Sequence, residues 1–194
     1  MSLGLLILRV LLAALLFGHA TQKLRGWFGG AGLVGTGAAF ERLGFVPGAR
    51  MALVAGLAEL TGAASIATGL LTPADCAVVV GTMTVAAVAN STNGFWAQRG
   101  GCEVPFWYGA VAAVLGFTGP GPWSLDTTLG LDNLSGSAQG LAALALGLLA
   151  SVVPLTARAR VLRERAGAPE ADGRESPRAA GRSRWKLRVS RSIK

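Results

Sequence analysis

An all-α membrane protein, a polytopic helix bundle, is the fold class this sequence predicts, and three observations carry that expectation. Of the 194 residues, 52% are hydrophobic, only 14% are charged and 28 are glycine. That composition suits a small multi-span protein better than a soluble domain. Five apolar segments, at about residues 3–20, 51–71, 74–91, 104–119 and 137–156, approach the ~20 residues that cross a bilayer as a helix. Charge is also segregated: residues 1–157 hold six Lys/Arg and six Asp/Glu, whereas residues 158–194 hold twelve and four, which is the whole net charge of +8.

The first segment carries Arg9 within its apolar run. Gly18-x-Ala20 matches a small-x-small cleavage site, but no Lys or Arg precedes the apolar core and Arg9 interrupts it, so an uncleaved helix is expected. The first loop, Thr21 to Arg50, holds Lys23, Arg25, Trp27, Phe28, Arg42, Arg50 and many glycines. Gly30-x-Gly32-x-x-Gly35 formally matches a dinucleotide fingerprint, yet it follows a membrane segment rather than a strand and lacks the acid about 20 residues on, so nucleotide binding is rejected. An interfacial or re-entrant stretch and a flexible loop both fit it.

In the second segment Glu59 stands alone as a charged residue between Met51 and Leu71, and the pairs Ala58/Gly62 and Ser65/Gly69 permit close helix approach. After the third segment come Asn93-Gly94-Phe95-Trp96 and Gly100-Gly101-Cys102-Glu103-Val104-Pro105, which lead into the fourth. Five spans with the N-terminus outside put every Lys/Arg-rich connection and the tail on the cytoplasmic side of the cell membrane. The expected division is a four-helix core over residues 1–126, a loop and fifth spanning helix over 127–157, and a disordered basic cytoplasmic tail over 158–194. Each basic residue of that tail is worth about 1 kcal/mol near anionic lipid. Without stacking aromatics in series or a recognised fold, the tail is read as binding lipid and not nucleic acid.

Cys76 and Cys102 are too few for a disulfide scaffold and lie in no C-x-x-C spacing, and with His19 the one histidine, no metal site is expected. No haem, flavin or iron–sulfur ligand set is present either, so no covalently bound cofactor is expected, and electron transfer would need quinone, a thiol or a partner subunit.

A carboxylate at the depth of Glu59 costs about 2.5 kcal/mol or more, so it implies a partner or a task. In an antiparallel pair with aligned segment centres, Arg9 lies about 6 Å along the axis from Glu59, so a Glu59–Arg9 contact is expected. The alternatives are a structural clasp and an Arg9 that snorkels to the surface. His19 lies one turn before Lys23 on the same helix side, where it suits proton relay or a hydrogen bond to a quinone or oxyanion. The topology brings His19, Lys23, Asn93, Cys102 and Glu103 to the cytoplasmic end, where they are expected to form a single pocket. Catalytic roles are assigned to Glu59, Arg9 and His19, and substrate binding to Lys23, Asn93, Glu103 and Cys102.

Taken in order, several motifs resemble the DoxX family of small membrane proteins: Leu8-Arg9-Val10, Gly18-His19-Ala20-Thr21-Gln22-Lys23-Leu24, Gly26-Trp27-Phe28-Gly29-Gly30, Gly44-Phe45-Val46-Pro47, Gly56-Leu57-Ala58-Glu59-Leu60, Gly69-Leu70-Leu71-Thr72, Asn93-Gly94-Phe95-Trp96 and Gly101-Cys102-Glu103-Val104-Pro105. The resemblance covers about residues 3–126. It implies a four-helix membrane bundle linked to respiratory or sulfur redox chemistry, as in subunits of thiosulfate:quinone oxidoreductases, and it carries functional positions onto Arg9, Lys23, Glu59 and Glu103. The chain departs from the family pattern in Cys102, where an aromatic residue is commoner, in its fifth apolar segment and in its tail. The expected function is a subunit of a membrane redox system, linked to quinone or to a thiol or sulfur oxyanion, with a redox enzyme as partner. A non-catalytic scaffold and a small-solute carrier are the alternatives.

Overall fold

The computed structural model describes residues 2–167. The chain divides into two units, Met1–Leu162 and Arg163–Lys194. Of the second, the described residues 163–167 are the end of the last helix.

The described residues form helices and no strand: α1 (Ser2–Arg25), α2 (Gly32–Arg42), α3 (Gly48–Thr68), α4 (Thr72–Asn90), α5 (Glu103–Thr118), the single turn α6 (Leu125–Thr128) and α7 (Ser137–Gly167). All five apolar segments of the sequence are helical. Four of the helices, α1, α3, α4 and α7, are long and apolar enough to cross a membrane. The fifth, α5, has 16 residues and at 1.5 Å per residue runs about 24 Å, close to the ~30 Å hydrocarbon layer. The protein is therefore an all-α polytopic membrane bundle.

Why these segments are helices follows from their content. Each consists mainly of apolar residues, its Ser and Thr hydroxyls bond back to carbonyls of the preceding turn, and lipid offers no water to its amides, so the main chain must satisfy itself within the segment. Large apolar side chains such as Leu3, Leu11, Val54, Val114, Leu149 and Val153 are exposed. On a soluble protein so much uncovered apolar surface would demand a partner; on this one it is the lipid-facing side.

Small residues set the packing. Gly62 of α3 receives Val79 of α4 on one side and Leu16 of α1 on the other, while Leu24 of α1 lies against Gly56. Those two α1–α3 contacts fix an antiparallel register in which later α1 residues meet earlier α3 residues. A core of Leu12, Leu16, Ile66, Val79, Met83 and Leu115 fills the middle of the bundle. On α7, Gly147 meets Gly81 of α4 backbone to backbone, and Gly140 rests on Phe117 of α5.

Two elements are more ordered than a flexible loop and a disordered tail would be. The loop between the first two spans is largely ordered: a 3-10 turn at Trp27–Gly29 leads into α2, and α2 crosses the start of α3 so closely that a side chain on Gly48 would enter the Gly37 carbonyl. Trp27, Phe28 and Val34 are exposed there, which is the composition of an interfacial helix. At the other extreme, the disordered tail expected from residue 158 begins too early, because α7 continues through Gly167. Ala-Arg-Val-Leu-Arg-Glu-Arg-Ala is a strong helix-forming run, and it is anchored: Arg158 Nε donates to the Leu43 carbonyl at 2.8 Å, its guanidinium lies 5.8 Å over the Phe45 ring, and Leu162 covers Gly44. Residues 168–194, with the rest of the expected tail, lie outside the described residues.

Candidate functional site

Two polar clusters stand at opposite ends of the apolar core. The first contains Glu59, which is 3% exposed at mid-helix on α3. Its partner is Lys23 rather than Arg9: the Lys23 ammonium donates to both carboxylate oxygens, at 2.8 Å to Oε1 and 2.7 Å to Oε2. The Lys23 side chain is itself 22% exposed, so the pair is sealed on the acid's side and reachable on the base's side. Hydropathy ends near residue 20, but α1 runs on to Arg25, and this extra turn carries Lys23 back over α3.

The rings of His19 and of Tyr108 on α5 pack edge to face, with centroids 5.5 Å apart and planes at 65°. The charge of Lys23 acts on His19 and that of Glu59 on Tyr108, so the four side chains form one electrostatic unit. The arrangement sets a cation, an anion, an imidazole and a phenol within one niche: two fixed charges and two groups able to donate or accept a proton. Tyr108 was not foreseen as a site residue. Its signal was available in its being the one tyrosine of the chain, set one turn inside an otherwise apolar helix.

The expected Glu59–Arg9 contact is not formed. With Leu16 opposite Gly62 and Leu24 opposite Gly56, Glu59 lies level with about residue 20 of α1, some 11 residues or roughly 16 Å from Arg9. The two helices are staggered rather than centre-aligned, which removes the premise of the pairing.

Arg9 instead organises the second cluster. It is 1% exposed, and each of its nitrogens binds main chain: Nε to the Ile66 carbonyl at 2.8 Å, Nη2 to Ala67 at 2.8 Å, and Nη1 to Pro120 and Trp123 at 2.9 Å each. Ile66 and Ala67 lie in the last turn of α3, whose carbonyls have no helical partner and form the negative end of the helix dipole. A guanidinium there meets both needs. Gly69 ends α3 in the left-handed region with φ of +66°, and a Cβ on it would collide with the Arg9 guanidinium, so glycine is required twice over.

Beside it Asp126, fully buried, accepts from Leu71 N at 2.7 Å and from Thr72 N and Oγ1 at 3.0 and 2.8 Å. It caps α4 from the α6 turn, while its own N–H donates to the Gly69 carbonyl. The two charges interact across the α3–α4 turn. Asp126 was counted in the sequence but given no role; only its place in a Pro/Gly-rich connection directly after a spanning segment marked it.

The remaining expected site residues are occupied within their own loop. Asn93 Nδ2 donates to the Gly100 carbonyl at 3.1 Å, and Glu103 accepts from Ala97 N at 2.8 Å. Cys102 is half-buried at the start of α5 with its N–H on the Gly94 carbonyl. These bonds fold the 91–102 connection upon itself. Glu59, Lys23 and His19 are thus brought together, whereas Arg9 is at the other end and Asn93, Cys102 and Glu103 serve the loop, so the single pocket expected of them is replaced by a smaller cluster.

Residues 4–92 match the DoxX family model. The match takes in α1 to α4, with Arg9, Lys23 and Glu59, and stops short of the expected residue 126, so Tyr108 and Glu103 lie beyond it. No curated protein and no solved structure matches the chain.

Proposed function

We propose that this membrane protein, whose residues 4–92 form a DoxX domain, is a subunit of a membrane redox system and holds a quinone headgroup or a small sulfur oxyanion at the Lys23–Glu59–His19–Tyr108 cluster. One observation carries the reading: a fully engaged ion pair whose cation remains partly open, with a histidine and a tyrosine beside it. An oxygen-rich ligand takes its first hydrogen bond from the exposed side of the Lys23 ammonium. Glu59 fixes that ammonium in place and compensates its charge, and His19 and Tyr108 stand where protons are needed when the ligand oxygen changes charge. Quinone, when bound, supplies the electron chemistry, and the electrons come from a partner redox enzyme.

The cell membrane is the proposed location, with the N-terminus outside and the C-terminus cytoplasmic. Arg25, Arg42, Arg50, Arg99, Arg158 and Arg160 gather at the Lys23 end of the helices, which supports that orientation. Anionic lipid at the basic C-terminal residues belongs to the same proposal.

The test uses the purified full chain in lipid nanodiscs. Wild type binds a short-chain quinone or accelerates thiosulfate- or thiol-dependent quinone reduction in membranes, and Glu59→Gln loses this while keeping its melting temperature within a few degrees. Wild type that does neither refutes the reading. A scaffold is the second reading, favoured by Arg9, whose bonds all go to main chain. It predicts that Glu59→Gln loses assembly with its partners rather than turnover.

A further inference from the structure

Asp75 lies in the first turn of α4, 8% exposed, and its Oδ2 is buried without a hydrogen-bond partner among the described residues. An acid at a helix start ordinarily binds the free N–H groups there. Here that work is already done, since Asp126 holds the N–H groups of Leu71 and Thr72. As an anion Asp75 would be an unpaired charge inside a layer where such charge is expensive.

The neighbouring elements offer it no free counter-charge. Arg9 of α1 is committed to four carbonyls and Lys23 to Glu59 of α3. Between residues 103 and 118, α5 holds only Glu103 and Tyr108 as titratable groups, and α7 has none before Arg158. On α4 itself the adjacent group is the buried Cys76 thiol.

We propose that Asp75 is a proton-binding site: its carboxyl is carried undissociated inside the bundle and is the acid that a lipid-soluble carbodiimide modifies. In that reaction the carboxyl O–H adds across one C=N bond, the proton going to nitrogen and the oxygen to the central carbon. The acyl group then migrates to the neighbouring nitrogen, giving an N-acylurea, and nothing is oxidised or reduced. Glu59 and Asp126, each occupied by its donors, do not compete.

The experiment is infrared spectroscopy of the full chain in lipid nanodiscs. The expected result is an undissociated-carboxyl stretching band that moves on deuterium exchange, moves again when the protein is grown with carboxyl-labelled aspartate, persists in Glu59→Gln and is lost in Asp75→Asn. Peptide mass spectrometry after carbodiimide treatment is expected to find the adduct on Asp75. The proposal is overturned if wild type shows no band sensitive to the aspartate label, if the band survives Asp75→Asn, or if the adduct maps to Asp126 or Asp132 instead. Should Asp75→Asn fail to fold, the label shift and the adduct position in wild type decide alone.

Discussion

Replacing Arg9 by Lys keeps the charge and removes the fork, and the bundle is expected to lose about 3 kcal/mol. The four carbonyls that Arg9 binds belong to two separate segments: Ile66 and Ala67 at the end of α3, and Pro120 and Trp123 in the connection after α5. A planar guanidinium spans both because its nitrogens point in fixed, divergent directions, whereas an ammonium is one point and serves one segment at a time. Two charge-assisted bonds are lost, each worth at least about 1.5 kcal/mol. At about 2–4 °C per kcal/mol for a chain of this size, the melting temperature falls by roughly 6–12 °C. Arg9→Met, which strands all four carbonyls, costs more, about 3–5 kcal/mol. Unfolding in detergent micelles, followed by the tryptophan fluorescence that includes exposed Trp123, measures both. Arg9→Lys within about 0.5 kcal/mol of wild type, or Arg9→Met more stable than Arg9→Lys, would refute the reasoning, because the bond count would then not set the stability.

Asp126→Asn keeps one acceptor oxygen and turns an amide N–H2 toward the main-chain donors of α4, so a cost of about 1–3 kcal/mol is expected in the same melt; no change would remove its capping role. Gly69→Ala adds left-handed strain of about 1–2 kcal/mol to a Cβ only 2.5 Å from Arg9 Nη2, and a neutral result would show that the turn has room to move. Lys23→Met leaves Glu59 buried and unpaired, at about 3–5 kcal/mol, whereas Lys23→Met with Glu59→Leu recovers much of that; an additive double variant would disprove the pairing. In intact cells Cys102 resists an impermeant maleimide and reacts in inverted vesicles, while Cys76, fully buried, reacts in neither; labelling of Cys102 from outside would reverse the proposed orientation.

The five long apolar helices, α1, α3, α4, α5 and α7, were legible from hydropathy, because lipid reads each segment by itself. What composition hides is anything set by stagger. Lys23 lies beyond the apolar run of its helix, and its partnership with Glu59 depends on α1 continuing through Thr21 and Gln22, where side chains turn polar while the helix does not stop. The Arg9 site was half legible: an arginine inside an apolar run demanded acceptors, but a search for acidic side chains could not find acceptors that are peptide carbonyls. α2 was missed because its glycines, at Gly32, Gly35 and Gly37, argue against a helix on propensity alone; close packing on α3 overrides that preference. Arg158 looked like the first residue of a solvated run because nothing in local sequence indicates that the Leu43 carbonyl, more than a hundred residues earlier, waits for it.

The Arg9 contacts carry a consequence for how such proteins vary. Since every acceptor is a peptide carbonyl, positions 66, 67, 120 and 123 are free to exchange their side chains without touching the bond, provided the backbone path is kept. Substitution at exposed Trp123 should register little, substitution at Ile66 should register only through its place in the core, and no compensating substitution at any of the four could rescue a lost arginine. A contact of this kind leaves a trace in one column of a family's sequences and in no pair of columns.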